Sequence, residues 1–369
     1  MGKLRFGLIG CGGIANRKHL PALAALRDEV EITSFCDVIY ERAEKAAREA
    51  GSQSAKVSTD YRELVEDPQL DVIHVLTPNV NHAEITVAAL EAGKHVLCEK
   101  PMSINSAGAK QMLEAAERTG KLLTIGYQNR FRKDVCDLRA IVDAGDLGEI
   151  YYAEAFAIRR KGVPTWGVFP DKAKQGGGPL IDIGTHALDL SLWMIGNYEP
   201  VAVLGQTFQK LKDYPEGNQF GPWDPETYET EDSAFGLVTL SNGATIILKA
   251  AWALNVAQSR EAQVQLCGTL GGAETVGDTA SNAGQVLTNT VSHGRLIDTK
   301  PGVGMGVYGF AGVQAEAPEV LEARQWVKAI KGEGEPLVKP QEALVVTQIL
   351  EAIYESAATG RAVYLNEHK

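Results

Sequence analysis

The stretch that decides the fold is LRFGLIGCGGIAN, residues 4–16, near the start of the 369-residue chain. An apolar run typical of a buried strand leads into Gly10-x-Gly12-x-x-Ala15, and a helical pattern follows. Gly10 permits a tight turn, Gly12 lets the backbone approach a pyrophosphate, and Ala15 lets the helix pack closely on the sheet. The N-terminus of that helix then offers N–H groups and a positive dipole end to phosphates. Because glycine bends of this kind also arise by chance, the motif needs support from elsewhere in the chain.

Asp37 supplies that support. It ends the second strand pattern, EITSFCD, 22 residues after Ala15, where a carboxylate can accept hydrogen bonds from the adenosine ribose hydroxyls. A 2′-phosphate would be repelled there, and no arginine follows immediately, since Arg42 lies a turn or more into the next helix. The two features together predict a dinucleotide site that takes NAD rather than NADP.

Strand and helix patterns alternate over the first third of the chain and then stop alternating. Apolar strands at DVIHVLTP, HVLCEKP and LLTIGYQ are separated by helical segments that end in glycine. This alternation predicts an α/β fold with an N-terminal Rossmann domain, a doubly wound parallel sheet, over residues 1–125. Residues 126–369 predict an α+β domain, with a strand at IYYAEAFAI, a hairpin at Asn242-Gly243 and helices near 318–331 and 340–359.

The composition excludes several classes of function. The net charge is −11, from 36 Lys and Arg against 47 Asp and Glu, and no basic stripe stands out, which argues against a nucleic-acid partner. No apolar run reaches the ~20 residues that a membrane span needs. Five scattered cysteines without a C-x-x-C pair indicate neither a disulfide framework nor a zinc site, as expected in a reducing compartment. Since the first strand starts too close to Met1 for a signal peptide, we expect a soluble cytoplasmic protein.

Two further motifs follow strands of the predicted parallel sheet, at the carboxyl ends where such sheets bind ligands. LTPNVNH, residues 76–82, fits a helix cap and turn, and it also fits the lining of a dinucleotide cleft. In the second interpretation the cleft is lined by Thr77, Pro78, Asn79 and His82. Glu99-Lys100-Pro101 follows the next strand. A lysine there is usually surface charge, yet a positioned ammonium can stabilise an alkoxide or bind a substrate hydroxyl.

A third cluster is GGGPLIDIGTHALDLSLWMIG, residues 176–196, where glycines precede a helical run. Asp182, His186 and Asp189 are spaced i, i+4 and i+7, so a helix places them on one face beside an apolar stripe. His186 suits acid–base chemistry near neutral pH, and Asp182 can orient it. The alternatives are a buried structural histidine and a metal site, although no further ligand cluster completes such a site.

The motifs G-x-G-x-x-A, E-K-P at 99–101 and G-G-G-x-L-x-D-x-G-x-H at 176–186 together resemble the Gfo/Idh/MocA oxidoreductases over essentially the whole chain. The resemblance implies a C-terminal domain with a large, mostly antiparallel sheet, whose open face commonly mediates dimers or tetramers. It also implies that Lys100 contacts the substrate hydroxyl and the nicotinamide region, and that His186, paired with Asp182, serves as the base. Some members carry a tyrosine in place of the histidine. His186 therefore points to the inositol-dehydrogenase-like branch and away from the glucose–fructose oxidoreductase itself.

Two loops are open to more than one interpretation. RRKGVPTWGVFP, residues 159–170, fits a loop that closes one edge of the sheet, whereas the resemblance suggests that Trp166 and Arg160 reach the cofactor or sugar. The polar stretch 210–232 is predicted as a surface loop, with a substrate lid or a subunit contact as the alternative. Tyr127 and Gln128, at the end of the sixth predicted strand, are further candidates for lining the cleft.

These observations predict an NAD-dependent dehydrogenase that oxidises a secondary hydroxyl of a sugar, sugar derivative, glycoside or inositol, as a homodimer or homotetramer. The alternatives are an NAD-dependent glycosidase with no net redox change and a non-catalytic regulator that senses NAD and sugar. The predicted cofactor contacts are Gly10, Gly12, Gly13, Ile14, Asp37, Thr77, Pro78, Asn79, His82, Glu99, Lys100, Gln128 and Trp166. The predicted substrate contacts are Lys100, Tyr127, Arg160, Trp166, Asp182 and His186. Lys100, Asp182 and His186 are the predicted catalytic residues, and no metal is expected.

Overall fold

The computed structural model describes residues 2–277, 284–300 and 316–365. The chain divides into two compact units. The first unit is drawn from Met1–Gln128 and Ala317–Thr347, and the second from Asn129–Glu316 and Gln348–Lys369. The domain boundary after residue 125 stays a prediction, and the sequence pattern does not indicate that a later segment joins the first unit.

The first unit contains a six-stranded parallel sheet, as the alternating pattern predicts. Its strands are β1 (Leu4–Ile9), β2 (Val30–Cys36), β3 (Lys56–Ser58), β4 (Val72–Val75), β5 (His95–Cys98) and β6 (Leu123–Ile125). They lie in the order β3-β2-β1-β4-β5-β6, so the direction of winding reverses between β1 and β4. Open α/β sheets bind ligands at the carboxyl ends of the strands beside such a reversal. The predicted Rossmann fold is therefore confirmed.

Ten α-helices are present in the described residues. They are α1 (Leu20–Ala24), α2 (Tyr40–Ala50), α3 (Tyr61–Val65), α4 (His82–Glu91), α5 (Ser106–Thr119), α6 (Lys133–Asp143), α7 (Lys172–Gln175), α8 (Thr185–Ile195), α9 (Pro318–Ile330) and α10 (Pro340–Thr359). In the first unit, one hydrophobic cluster joins β1, α1 and α9 through buried side chains such as Phe6, Leu23 and Trp326. The late helix α9 thus completes the core on one face of the parallel sheet.

Two helices begin with a π-helical turn, which the sequence analysis did not predict. Ala15–His19 is π-helical and leads into α1, and Leu180–Gly184 is π-helical and leads into α8. Each π turn begins within one of the glycine motifs. Single π turns inside helices occur often at functional sites.

The second unit is built on a nine-stranded mixed sheet, which is antiparallel except where β7 pairs with β10. Its strands are β7 (Ile150–Ile158), β8 (Pro200–Phe208), β9 (Ser233–Leu240), β10 (Thr245–Ala251), β11 (Arg260–Gly268), β12 (Gly271–Val276), β13 (Gln285–Ser292), β14 (Arg295–Thr299) and β15 (Val363–Tyr364). Helix α8 packs against β7 and β11. The hairpin predicted at Asn242-Gly243 joins β9 to β10, and the large, mostly antiparallel sheet is confirmed.

The stretch 210–232 contains no strand and a single short 3-10 turn at Pro225–Thr227, in agreement with the predicted loop. Within the described part of the chain, no helix combines the length and the apolar character needed to cross a membrane.

Candidate active site

Four of the predicted motifs lie along one edge of the parallel sheet. Backbone N–H groups extend the hydrogen-bond ladder one residue past the strands at 2.8–2.9 Å, from Gly10 to Cys36, from Leu76 to Ile9, from Glu99 to Val75 and from Gly126 to Cys98. The glycine turn, the Thr-Pro motif, the Glu-Lys-Pro motif and the Gly-Tyr-Gln segment therefore follow neighbouring strands at the carboxyl edge. This is the edge at which an open α/β sheet binds its ligand.

The glycine turn has the geometry that its sequence predicts. Gly10 has φ of +96°, and a Cβ atom there would lie 2.5 Å from the carbonyl oxygen of Leu76, so a side chain is excluded on both counts. A Cβ on Gly12 would meet no described atom within 4 Å, which leaves the backbone open to approach. Ala15 is fully buried under the first helical turn. The turn can therefore accept a pyrophosphate against its backbone.

Asp37 is held by the same turn. Its Oδ2 accepts a hydrogen bond from the backbone N–H of Cys11 at 2.9 Å, and its Oδ1 accepts one from the N–H of Ile39 at 2.9 Å. The next side chain, Val38, is 86% exposed. Burial, together with the Asp37 charge, raises the pKa of the Cys11 thiol to about 12, so this thiol stays protonated. The carboxylate is fixed where ribose hydroxyls are expected.

His82 connects the motifs that follow β4 and β5. It is buried, and its Nδ1 and Nε2 lie 2.8 Å and 2.9 Å from the carbonyl oxygens of Pro101 and Thr77. Burial lowers the pKa of His82, and a neutral imidazole carries only one N–H to share between the two carbonyls. Pro78 precedes a 3-10 turn, Asn79–Asn81, that leads into α4. The turn is therefore present, but Asn81, the N-cap residue of α4, makes no side-chain capping hydrogen bond. A direct contact of His82 with the cofactor stays a prediction.

Glu99 is buried and faces the interior of the first unit. Its Oε1 accepts a hydrogen bond from Lys18 Nζ at 2.7 Å and lies 2.8 Å from His19 Nε2, while its Oε2 accepts one from the backbone N–H of Lys100 at 3.1 Å. Burial alone would raise the pKa of Glu99, but the Lys18 ammonium and His19 hold it well below its ordinary value. Lys100 itself is half-buried, and the Lys100–Pro101 peptide bond is cis.

The end of β6 contributes to the same cluster. Gln128 Oε1 accepts a hydrogen bond from Lys18 Nζ at 3.2 Å, and the Tyr127 side chain is fully buried. Lys18 and His19 were not singled out in the sequence because they lie within an ordinary-looking helical stretch. Only the fold shows that the first helical turn delivers them to the Glu99 carboxylate.

In the second unit, Glu231 fixes the start of the π turn that carries Asp182. Its carboxylate accepts hydrogen bonds from the N–H groups of Gly178 and Leu180, at 2.9–3.2 Å, and from the Tyr354 hydroxyl at 2.8 Å. A Cβ on Gly178 would lie 2.4 Å from the Glu231 carbonyl oxygen, which explains a glycine there. Sequence reasoning missed Glu231, since it is one of several acidic residues in the 210–232 loop.

Asp182 lies in the π turn, and His186 lies in the first turn of α8 and is 8% exposed. The Asp182 Oδ2 accepts a hydrogen bond from the Trp252 indole Nε1 at 2.9 Å. Trp252 is fully buried and was missed by sequence reasoning, because it sits 70 residues away at the end of β10 with no motif around it. That Asp182 orients His186 stays a prediction.

Asp189 pairs with a buried arginine of the second unit. Its two carboxylate oxygens accept hydrogen bonds from Arg130 Nε at 3.0 Å and from Arg130 Nη2 at 2.6 Å, and both residues are fully buried. Among the described residues, no group of three His, Cys, Asp or Glu side chains could hold a metal ion.

The loops 159–170 and 210–232 pack on each other. Trp166, which is 41% exposed, contacts Phe220 edge to face with the ring centroids 4.8 Å apart. Asn218 pairs with the backbone N–H and carbonyl of Val163 at 2.9 Å each. The backbone N–H of Arg160 donates to Ser259 Oγ at 3.0 Å. The 210–232 loop thus braces the aromatic loop, and contact of Trp166 or Arg160 with a ligand stays a prediction.

Comparison with known proteins is consistent with this geometry. Residues 4–127 match the model of the Gfo/Idh/MocA oxidoreductase family, NAD-binding Rossmann fold, and residues 139–365 match the C-terminal alpha/beta domain of the same family. The chain belongs to the Gfo/Idh/MocA oxidoreductase family. The prediction of an NAD(P)-dependent oxidoreductase that acts on CH–OH groups is confirmed.

Three similar proteins show the range of this class. The chain is 34% identical over 364 residues to the D-glucoside 3-dehydrogenase of Escherichia coli K12, which covers 98% of this chain and 97% of that protein. The aldose-aldose oxidoreductase of Caulobacter crescentus has 25% identity and a TM-score of 0.79, over 99% of this chain and 100% of that one. A levoglucosan dehydrogenase in complex with NADH and levoglucosan shares the fold, with 23% identity, a TM-score of 0.84 and coverage of 99% and 100%.

Proposed function

We propose that this protein is an NAD-dependent dehydrogenase that oxidises a secondary hydroxyl of a D-glucoside or a closely related sugar, with the C3 hydroxyl as the first candidate. The observation that carries the proposal is that Lys100 and the glycine turn lie at the same edge of the parallel sheet. The glycine turn follows β1, and Lys100 follows β5, which is separated from β1 by β4. The 34% identity to a D-glucoside 3-dehydrogenase over 98% of the chain supports the sugar and the position.

The first unit supplies the cofactor site in this proposal. The glycine turn receives the pyrophosphate, and the fixed Asp37 carboxylate accepts hydrogen bonds from the ribose hydroxyls, which favours NAD over NADP. NAD⁺ bound there supplies the hydride acceptor. The remaining predicted contacts at the edge, Thr77, Pro78 and Asn79, line the same site, whereas Lys100 acts on the substrate oxygen and contributes little to NADH binding.

The second unit supplies the proton acceptor. His186 takes the proton of the substrate hydroxyl as the carbinol hydrogen leaves as hydride, and Lys100 holds the substrate oxygen as negative charge develops on it. Asp182, which the Trp252 indole holds in place, orients His186. Trp166 presents an aromatic face to the apolar C–H groups of the pyranose ring. Gly13, Ile14, Tyr127, Gln128 and Arg160 complete the lining of the proposed site.

Two substitutions test this division of roles. Lys100→Ala and His186→Asn should each lower kcat by roughly 10²–10⁴-fold, the usual contribution of a general acid or base, and leave the Kd for NADH unchanged. The substrate is methyl D-glucoside, and the reaction is followed by NADH absorbance. The matched controls are the exposed Lys110→Ala and His293→Asn, which should keep full activity. Wild-type turnover in either site variant contradicts the assigned role.

A further inference from the structure

A buried charged cluster lies beneath the sheet edge of the first unit. Lys18 is at its centre, 6% exposed, and its ammonium has three acceptors within hydrogen-bonding distance. These are Glu99 Oε1 at 2.7 Å, Glu322 Oε2 at 2.9 Å and Gln128 Oε1 at 3.2 Å. They come from the segments after β5 and β6 and from α9. A lysine ammonium has three N–H donors, so the cluster satisfies all of them.

Burying such a cluster costs free energy. Its presence is therefore poorly explained by a contribution to stability alone. Removing an ammonium and carboxylates from water carries a large desolvation penalty, and well-packed apolar residues often stabilise a core equally well. Burial alone would lower the pKa of Lys18, but Glu322 and Glu99 raise it above its ordinary value, so the ammonium stays charged. What the cluster provides is a fixed geometry for the groups around it.

The group that it fixes is the Glu99 carboxylate. One oxygen faces Lys18 and His19, and the other accepts the backbone N–H of Lys100 at 3.1 Å. Gly126 closes the remaining side, since a Cβ there would lie 3.0 Å from Glu99 Oε1. The carboxylate therefore has little freedom to move, and the backbone N–H of Lys100 is hydrogen-bonded to it.

We propose that Lys18 is a positioning residue for the reaction: it fixes the Glu99 carboxylate, and Glu99 in turn fixes the backbone from which the Lys100 ammonium reaches the substrate oxygen. In this proposal Glu99 is a buried residue that positions Lys100 and does not itself contact the cofactor. This inference rests on the proposed function, because it needs Lys100 to act on the substrate. A displacement of about 1 Å in a reacting group can cost roughly 100-fold in rate.

A double-mutant cycle between Lys18 and Lys100 tests the inference. Lys18→Met should lower kcat roughly 100-fold, with the Kd for NADH unchanged. In the Lys100→Ala background the same substitution should cost nothing further, because two residues that act through one another are not additive. The matched control is Lys94→Met, since Lys94 is a second buried lysine of the same unit whose Nζ donates to the carbonyl oxygens of Asp67 and Leu70. It should lower the melting temperature without changing kcat.

The possible outcomes separate this inference from the proposed function. If Lys100→Ala cripples turnover and Lys18→Met adds its full loss on top, the positioning role is overturned and the proposed function stands. If Lys100→Ala keeps wild-type turnover, the role of Lys100 fails, and the positioning role fails with it. A loss of NADH affinity in Lys18→Met that matches its loss of kcat also overturns the inference.

A second variant covers the case in which Lys18→Met does not fold. Gly126→Ala adds only a methyl group, which must displace the Glu99 carboxylate. It should lower kcat by about tenfold, less than the full cost of a misplaced group, and the loss should vanish in the Lys100→Ala background. Unchanged kcat in a folded Gly126→Ala protein, or an additive loss, contradicts the route through Glu99.

Discussion

At the scale of single residues, a tryptophan that is distant in sequence holds one oxygen of a predicted catalytic carboxylate. The Trp252 indole N–H donates to Asp182 Oδ2 across 2.9 Å, and the indole ring is fully buried. The spacing of Asp182 and His186 can be read from the sequence, but the indole partner of Asp182 cannot, since it is fixed only when β10 is placed beside the π turn. Phe169 packs edge to face on the same indole, with ring centroids 6.1 Å apart.

Trp252→Phe should remove this hydrogen bond and keep most of the ring packing. A hydrogen bond to a charged group contributes about 1.5–3 kcal/mol, so we expect kcat to fall roughly 10–100-fold with the Kd for NADH unchanged. Steady-state kinetics and an NADH titration measure the two quantities. The control is Trp223→Phe, because Trp223 is also buried and donates its indole N–H, to the Lys212 carbonyl. Equal losses of kcat in the two variants would show that the hydrogen bond from Trp252 to Asp182 has no specific role in catalysis.

Asp37 should set the choice between the two nicotinamide dinucleotides. Asp37→Asn keeps the shape of the side chain and removes the charge that binds ribose hydroxyls and repels a 2′-phosphate. We expect the Kd for NADH to rise about tenfold, as for the loss of a charged hydrogen bond, and the Kd for NADPH to stay unchanged or fall. Fluorescence titrations with the two cofactors give the ratio, and Asp28→Asn, on the exposed surface, is the control. A constant ratio of the two Kd values would refute this role.

At the scale of secondary-structure elements, the order of strands and helices follows from the sequence, and the ends of some helices do not. Glycine spacing and apolar periodicity predict where a helix follows a strand. Whether its first turn is α-helical or π-helical depends on backbone packing that local sequence does not encode. The π turn at Ala15–His19 delivers Lys18 and His19 to Glu99, and the π turn at Leu180–Gly184 is tied down by Glu231.

Helix α9 carries a buried carboxyl group that should make stability depend on pH. Burial raises the pKa of Glu322 from 4.5 to about 7, although Lys18 acts in the opposite direction. Since its pKa is raised in the folded state, Glu322 stabilises the fold at low pH and loses this contribution as the pH rises through about 7. Glu322→Gln should therefore reduce the fall in melting temperature between about pH 5 and pH 8.

Thermal unfolding across that pH range measures the effect. Glu333→Gln, which changes an exposed carboxyl group in the turn after α9, should leave the pH dependence as in the wild-type protein. A steeper fall in melting temperature in Glu322→Gln than in the wild-type protein would contradict the role assigned to Glu322.

At the scale of the whole molecule, the outer face of the nine-stranded sheet carries exposed apolar side chains. Leu204 and Leu237 are directly opposite each other on β8 and β9 and are 50% and 40% exposed, and Tyr364 on β15 is 59% exposed. Exposed apolar patches of this kind often mark interfaces between proteins. The homodimer or homotetramer that the family resemblance implies stays a prediction, and this patch is a candidate for its interface.

A double substitution, Leu204→Glu with Leu237→Glu, should shift the protein toward smaller species, because it buries like charges against each other in a symmetric interface. Light scattering coupled to size-exclusion chromatography measures the mass of each form. Exposed Leu296→Glu on β14 is a control outside this patch and should leave the mass unchanged. An unaltered oligomer in the double variant would place the interface elsewhere.

The motifs predicted the Rossmann sheet and the positions of Gly10, Asp37 and Lys100 because each motif is local in sequence. The residues that hold these segments in place are distant in sequence, and no local pattern predicts them. Glu322, which pairs with Lys18, is an example. The same reason explains why the joining of Ala317–Thr347 to the first unit could not be foreseen.

The most direct test of the central claim is to incubate the purified protein with NAD⁺ and a panel of glucosides, free hexoses and inositols, while NADH absorbance and product mass are recorded. We predict NADH formation with a glucoside, together with a product that has lost two hydrogens and keeps its glycosidic bond. NADP⁺ should give a much slower reaction. Release of the aglycone without NADH would instead identify a glycosidase. NADH binding without turnover of any compound in the panel would identify a sensor, and either result would contradict the dehydrogenase.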